Sequence, residues 1–193
     1  DDLDKIEEKN TLTWSLTSNF TSKKSRISPK GKEITDYRDI AYIKLFQSYD
    51  IKKERDKETR PFSEIGLETE LAPNDFISLD MDVFWSPYDS HFKTLNIGNT
   101  LKDKRGDSLR TEYRYTSSTS ESLYSKIDIN LTNELSAFYS IEKNIEVKKT
   151  IETRAGIGFK KPCWALNLYF LKSSDEQSIT FLIKLNGIGE FGI

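Results

Sequence analysis

The chain has 193 residues, a formal net charge of −2 at pH 7, and 31% charged against 36% hydrophobic residues. Its nearly balanced charge excludes the basic footprint of a nucleic-acid-binding protein. No apolar run approaches the roughly 18 residues of a transmembrane helix, although a transmembrane strand needs only about 10 residues and is not excluded. The opening DDLDKIEEKN is not a signal peptide, so we expect either a processed chain or an internal fragment.

Eleven segments alternate between apolar and polar side chains, the period that places successive side chains on opposite faces of a strand. In chain order they are 12–20, 40–49, 64–71, 76–85, 93–101, 109–116, 123–131, 135–142, 151–159, 163–172 and 179–185. Turn signals such as APND, KDKRGD, TNE and KKP separate many of them, and no helical period appears. The pattern therefore predicts an all-β antiparallel meander of about eleven strands.

The predicted sheet has one apolar and one largely polar face, which suits either a transmembrane barrel or a soluble sandwich. The aromatic residues favour the barrel, because three tryptophans lie on the apolar face near strand ends, as in the aromatic girdles of membrane barrels: Trp14, Trp85 and Trp164. A continuous meander also suits a barrel wall better than a sandwich with Greek-key crossings. A soluble or surface-exposed sandwich, acting as a binding or adhesion module, remains the alternative.

The polar face offers candidate sites. Its predicted interior-facing residues in the later segments are Lys126, Asp128, Glu152, Arg154, Lys184 and Asn186. Its acidic residues in the third and fourth segments are Glu64, Glu68, Glu70, Asp80 and Asp82. Such carboxylates suit a metal or acid–base site, but a hydrated wall is the interpretation that we prefer.

The sequence does not point to an enzyme. It contains no Ser-His-Asp set, nucleotide-binding loop or zinc-ligand spacing, so we expect no catalytic residue, metal or cofactor. The single histidine, His91, lies by a turn and is expected to be solvated. An outer-membrane lipid hydrolase is the nearest enzymatic alternative.

Several stretches together carry a family resemblance: LFQSYDIKKE, RPFSEIGLETELAPNDFISLDMDVFWSPYDSHFKTLNIGNTLKDKRGDSLRTEYRY, and PCWALNLYFLK followed by ITFLIKLNGIGEFG. They resemble the later barrel strands and the C-terminus of the lipopolysaccharide-assembly outer-membrane family LptD. The resemblance implies that residues 1–193 are a single wall segment from the C-terminal part of a large transmembrane β-barrel, without the family's periplasmic jellyroll domain. The odd number of predicted strands agrees with a fragment, because single-chain bacterial barrels have an even number of strands. An open set of strands would also leave unpaired backbone groups at its edges in lipid.

The resemblance also implies a function and partners. Family members receive lipopolysaccharide from a periplasmic transport bridge and insert it into the outer leaflet of the Gram-negative outer membrane through a lateral gate. The implied partners are the lipoprotein plug LptE, that bridge, lipopolysaccharide itself and, during folding, the barrel-assembly machinery.

Two sets of site residues follow from the resemblance. Cys163 would bond to a cysteine of the periplasmic domain, whereas the residues alone favour a free thiol at a strand start. That assignment makes the KKPC turn periplasmic and SSDEQ extracellular. The lateral-gate strand would comprise Ile179, Phe181, Ile183, Leu185, Gly187 and Gly189, with glycines weakening its end, although these glycines also fit a strand that fades into a turn. As the last strand, it would have no partner within this chain along its outer edge.

Overall fold

A computed structural model of the protein describes residues 10–27, 31–57, 59–185 and 189–192, the last range by its backbone. Twelve strands form one antiparallel sheet in which neighbours follow chain order. The strands are β1 (Thr11–Ile27), β2 (Glu33–Asp50), β3 (Ile65–Asn74), β4 (Ile77–Ser86), β5 (His91–Lys102), β6 (Ser108–Thr116), β7 (Ser120–Asn130), β8 (Leu135–Asn144), β9 (Lys149–Lys160), β10 (Trp164–Ser173), β11 (Gln177–Leu185) and β12 (Gly189–Gly192). The predicted antiparallel meander is confirmed.

Two elements were missed by the alternation. A short helix, α1 (Ile51–Arg55), follows β2, where we expected no helix. Asp50 caps it, because its side chain accepts hydrogen bonds from the backbone N–H groups of Lys52 and Lys53 at 3.0 and 3.2 Å. Five residues are too few to show a helical period. The second element, β12, turns back and pairs with β11, so the glycine-rich stretch is not simply the fading end of a strand.

The first hairpin is longer than its alternating pattern. β1 and β2 have 17 and 18 residues, whereas β3 pairs with β2 only from Ala41 to Phe46. The register between β1 and β2 shifts between Phe20 and Thr21, which marks a bulge. The apolar alternation stops at this bulge, and a polar two-stranded ribbon continues beyond it. The alternation therefore located the apolar part of the hairpin and missed the polar part.

The strand register collects the apolar side chains on one face. One row of paired residues runs from β4 to β11 through Ile77, Leu101, Leu109, Ile127, Tyr139, Ala155, Phe170 and Ile179. Paired residues of antiparallel strands point to the same face, so this row is a continuous apolar band.

Nothing in the described part of the chain covers this band. Ile127 is 41% exposed and Ile179 is 70% exposed, while Val83, at 8%, is the one hydrophobic residue that is buried among those described. All twelve strands belong to one sheet, so the described residues do not form the two packed layers of a sandwich. No helix of the described ranges has the length and apolar character needed to cross a membrane.

The β2–β3 connection is folded against the neighbouring turn between β4 and β5. The Arg60 guanidinium contacts the Asp89 carboxylate at 2.8 Å and lies 5.6 Å from the centre of the Tyr88 ring. The Tyr88 hydroxyl accepts a hydrogen bond from the backbone N–H of Phe62 at 2.8 Å. Arg60 has a φ of +79°, an unfavourable value for a residue with a Cβ, so these contacts hold a strained backbone in place.

The Asp89 carboxylate is the centre of this contact, and the contact lowers its pKa. Lys93 and Arg60, both in direct contact with the carboxylate, hold the pKa of Asp89 well below its usual range. A lowered pKa stabilises the folded state at every pH above the ordinary aspartate value of about 3.9, and this contribution is lost only as the pH falls toward the lowered value. The contact is therefore expected to persist from pH 8 down to about pH 5.

We expect Asp89→Asn to loosen this connection while leaving the sheet intact, because the change removes charge and keeps size. Trypsin should then cut the 51–57 segment several-fold faster than in the unchanged protein, measured by mass spectrometry of timed digests. Asp175→Asn, an exposed aspartate in the β10–β11 turn, is the matched control and should leave the rate unchanged. Equal rates for Asp89→Asn and the unchanged protein would show that the ion pair does not hold the connection.

Candidate functional site

The polar face is the candidate functional surface. The register places Lys126 beside Arg110 and Ser140, and places Arg154 beside Ser140. Five of the six residues predicted to face the interior lie on this face: Lys126, Asp128, Glu152, Arg154 and Lys184. Asn186 lies outside the described residues.

Its centre is a chain of ion pairs between residues of three strands, β4, β6 and β8. The Arg110 guanidinium donates two hydrogen bonds to the Asp80 carboxylate, both 3.0 Å, and contacts Glu112 at 3.0 Å. Glu112 also accepts from Arg114 at 2.7 Å, and Arg114 donates to Glu142 at 3.0 Å. The Glu112 side chain is only 16% exposed, so its charge is stabilised by these two guanidinium partners.

The acidic residues of β3 and β4 do not form a metal site. Glu68 is paired with Lys44 at 3.0 Å, and Asp80 is held by Arg110. No group of three or more histidine, cysteine or carboxylate side chains in the described ranges is arranged to hold a metal ion. The arrangement is that of a polar wall with internal ion pairs, and Glu64 lies outside it, before β3.

Glycines let neighbouring side chains lie flat on this face. A Cβ placed on Gly66 would meet the Phe46 ring at 2.2 Å, and one on Gly98 would meet the Asp80 carboxylate at 2.4 Å. The Phe46 ring and the Asp80 carboxylate therefore occupy the space above a glycine of the next strand. The sequence shows these glycines at polar-face positions, but only the register shows which side chain covers each one.

His91 is exposed, as expected from its position by a turn. Its Nε2 lies 3.4 Å from the Ser117 hydroxyl, and its Nδ1 lies 3.2 Å from the backbone oxygen of Asp89. The carboxylate of Asp89 is bound instead by Arg60, Lys93 and Ser86. A Ser–His pair oriented by a backbone carbonyl and open to solvent offers no support for a hydrolase.

The residues assigned to the gate strand divide between two elements. Ile179, Phe181, Ile183 and Leu185 belong to β11, on the apolar face of the last hairpin. Gly189 does not continue this strand, because it begins β12 and pairs with Leu185. The expectation that the outer edge of β11 has no partner in this chain is therefore wrong for Leu182 to Leu185, which β12 covers. Gly187 lies outside the described residues.

The tryptophans and the cysteine lie at the ends of the sheet. Trp14 pairs with Gln47 and Trp85 with Ile65 near one end, and Trp164 pairs with Leu185 near the other. Cys163 is exposed in the short connection between β9 and β10. It is the single cysteine of the chain, so the 193 residues contain no disulfide partner for it.

Comparison with known proteins decides the family. A family model described as LPS transport system D, LptD, matches residues 1–177. The chain belongs to the LptD family. The resemblance to this family is thereby confirmed, and the family is an outer-membrane component of lipopolysaccharide transport rather than an enzyme family. No curated protein matches the chain.

The LptD match covers β1 to β10 entirely and ends at the first residue of β11. β11 and β12, which carry the residues assigned to the gate, thus lie almost wholly beyond the matched range. The assignment of these two strands to the gate therefore stays a prediction.

Proposed function

We propose that this sheet is part of the wall of an outer-membrane β-barrel that inserts lipopolysaccharide into the outer leaflet. The apolar face contacts lipid, and the polar face lines a hydrated interior. The observation that carries the proposal is the single layer: a sheet with one largely apolar, uncovered face and one ion-paired face suits a boundary between lipid and water. The LptD match supports lipopolysaccharide as the molecule that is transported.

The single layer also bears on how the barrel closes. The sheet is open in the described residues, because its order runs from β1 to β12 without a pair between the first and last strands. Unpaired backbone groups in lipid cost several kcal/mol each, so further strands must pair with β1. Residues 1–193 therefore act as one wall segment of a larger barrel.

Lipopolysaccharide is amphiphilic, so its two parts suit the two faces of this sheet. We place its exit at the seam, defined here as the outer edge of β11. β12 has only four residues, two of them glycine, and glycine both increases backbone freedom and removes packing. Such a strand is held weakly and can leave the edge while the β10–β11 hairpin stays paired.

The remaining partners fit the same geometry. The lipoprotein plug LptE would contact the polar face, and the periplasmic bridge would meet the end of the sheet that carries Cys163. With that end periplasmic, the 174–176 turn and the described parts of the β2–β3 connection, 51–57 and 59–64, face the cell exterior. A disulfide at Cys163 would join it to a cysteine outside these residues.

A reversible lock on β12 tests the proposal. Lys184 and Glu190 are directly opposed, and opposed residues in antiparallel strands lie about 4.5–5.5 Å apart between Cα atoms, within reach of a disulfide. Lys184→Cys with Glu190→Cys, in a Cys163→Ser background, should stop delivery of lipopolysaccharide to the cell surface when oxidised. Reduction should restore delivery, and heat-modifiable gel migration should show normal assembly throughout.

The matched control is a disulfide between two strands that we expect to stay paired during transport. Thr111 and Ser125 are opposed on β6 and β7, far from the seam. Their double cysteine variant should transport normally in both redox states. If the oxidised 184–190 variant still delivers lipopolysaccharide to the cell surface normally, the exit of lipopolysaccharide does not lie at the outer edge of β11.

A further inference from the structure

A groove of about 690 Å³ lies on the polar face between β7 and β11. We call it the β7–β11 groove and define it by six lining residues: Tyr124, Phe138, Asn167, Tyr169, Ser178 and Thr180. The groove lies beside the ion-paired centre of the polar face. The charged groups of that centre are paired with one another, whereas several hydroxyl and amide groups of the groove have no partner among the described side chains.

Two glycines lie beneath the side chains of this groove. A Cβ on Gly156 would meet the Phe138 ring at 2.3 Å and the Tyr169 ring at 2.9 Å, and a Cβ on Gly158 would meet the Asn167 side-chain oxygen at 2.9 Å. The two rings and the amide therefore lie low against the sheet. The ring centres of Phe138 and Tyr169 are 5.8 Å apart at an interplanar angle of 48°, which makes a shallow aromatic surface.

One ring of this surface is not covered by a cation. Lys126 lies 5.2 Å from the centre of the Phe138 ring, and Arg114 lies 4.9 Å from the centre of the Tyr124 ring. Among the described residues, no lysine or arginine side chain lies over the Tyr169 ring. Its ring is thus the one with a face left for a ligand.

The polar groups around Tyr169 have no hydrogen-bond partner among the side chains that the structure describes. Across the described ranges, no other residue makes a side-chain hydrogen bond with the Asn167 amide, the Tyr169 hydroxyl, or the hydroxyls of Ser178 and Thr180. Asn167, Tyr169 and Ser178 are nevertheless half-buried. Together they offer donors and acceptors next to an aromatic surface.

The charged groups nearby are already neutralised. Lys126 contacts Asp128 at 2.9 Å, and Arg154 contacts Glu152 at 2.8 Å. The groove therefore lacks the free cations that a phosphate group requires. Hydroxyl and amide groups beside a flat ring instead match a neutral ligand with many hydroxyls and C–H faces, which is the chemistry of a saccharide.

We propose that the β7–β11 groove binds the saccharide part of the lipopolysaccharide during its passage, with Tyr169 as the stacking surface and Asn167 as the hydrogen-bonding group. This inference rests on the proposed function and deepens it, because it assigns one part of the ligand to one part of the polar face.

Photocrosslinking in cells tests the inference apart from the proposed function. A photoreactive phenylalanine analogue is introduced at Tyr169 and, separately, at Ile157 on the lipid face, in strains that make complete or sugar-truncated lipopolysaccharide. The crosslink at Tyr169 should fall several-fold with truncation. An equal crosslink in both strains would overturn the saccharide subsite while leaving transport standing. Absence of lipopolysaccharide crosslinks at both positions would contradict the transport function as well.

Binding of a defined probe gives a second readout. The probe is a dephosphorylated core oligosaccharide, titrated into the purified full chain in detergent, with inorganic phosphate as competitor. Asn167→Ala should weaken binding at least several-fold, whereas Asn96→Ala, on the polar face outside the groove, should not. Competition by phosphate, or equal binding by Asn167→Ala and the unchanged protein, would overturn the inference.

Discussion

Replacing Ile97 with arginine is expected to destabilise the protein by about 2–4 kcal/mol, the cost of an arginine that faces lipid near the bilayer midplane. Ile97 lies midway along the apolar side of β5, is 39% exposed, and is paired with Met81 and Tyr113. In a soluble protein, arginine at so exposed a position would be tolerated. The size of the effect therefore reports which solvent this face contacts.

Asn96→Arg is the matched control, because it adds the same side chain one residue away on the opposite face. Asn96 is opposed by Asp82 and Arg114, in the ion-paired part of the polar face. We expect it to change stability far less than Ile97→Arg. The measurement is urea unfolding of each variant in phospholipid vesicles, and equal losses for the two variants would argue against a membrane sheet.

The second large effect is expected for Gly98→Val. The Asp80 carboxylate occupies the space that a side chain at Gly98 needs, with oxygen and carbon atoms at 2.4 to 2.8 Å from the added Cβ. Valine should displace Asp80, strain β5 and break the paired hydrogen bonds to Arg110. Overpacking of this kind costs about 1–3 kcal/mol.

Two further variants distinguish overpacking at position 98 from a general intolerance of β5 to substitution. Asn99→Val adds the same branched side chain to the next residue, on the apolar face, and should be neutral. Combining Gly98→Val with Asp80→Ser should recover part of the lost stability, since serine vacates the contested space. Failure of Asp80→Ser to relieve Gly98→Val in unfolding experiments would show that the strain arises elsewhere.

Strand positions and facing could be predicted because each strand of this sheet has two different surroundings. Leu95 and Ile97 lie on the apolar face, and Asn96 between them lies on the polar face. A period of two encodes this contrast locally, without knowledge of neighbouring strands. The same signal disappears where both faces are polar, which explains why the ribbon formed by 21–27 and 33–40 was missed.

The ion pairs and covered glycines could not be predicted, because they depend on register. Asp80 and Arg110 lie on strands that are not neighbours, with Gly98 of β5 between them. A bulge between Phe84 and Trp85 shifts the pairing by one residue. Alternation assigns a face to each of these residues but gives no information on which residues stand opposite.

The short C-terminal strand has a different explanation. Its sequence contains two glycines and only four residues, so local propensity for a strand is low. Pairing with the free edge of β11 creates it, because unpaired backbone groups at a sheet edge accept any extended segment within reach. The effect is tertiary and leaves no periodic pattern in the sequence.

A nitroxide scan of residues 123 to 127 in β7 tests the central claim most directly. Each residue is changed to cysteine in a Cys163→Ser background, labelled, and examined in lipid vesicles for collisions with oxygen and with a water-soluble nickel complex. We expect oxygen maxima at 123, 125 and 127 and nickel maxima at 124 and 126, because the two sets lie on opposite faces. High nickel accessibility at all five positions would contradict the proposal that one face of this sheet contacts lipid.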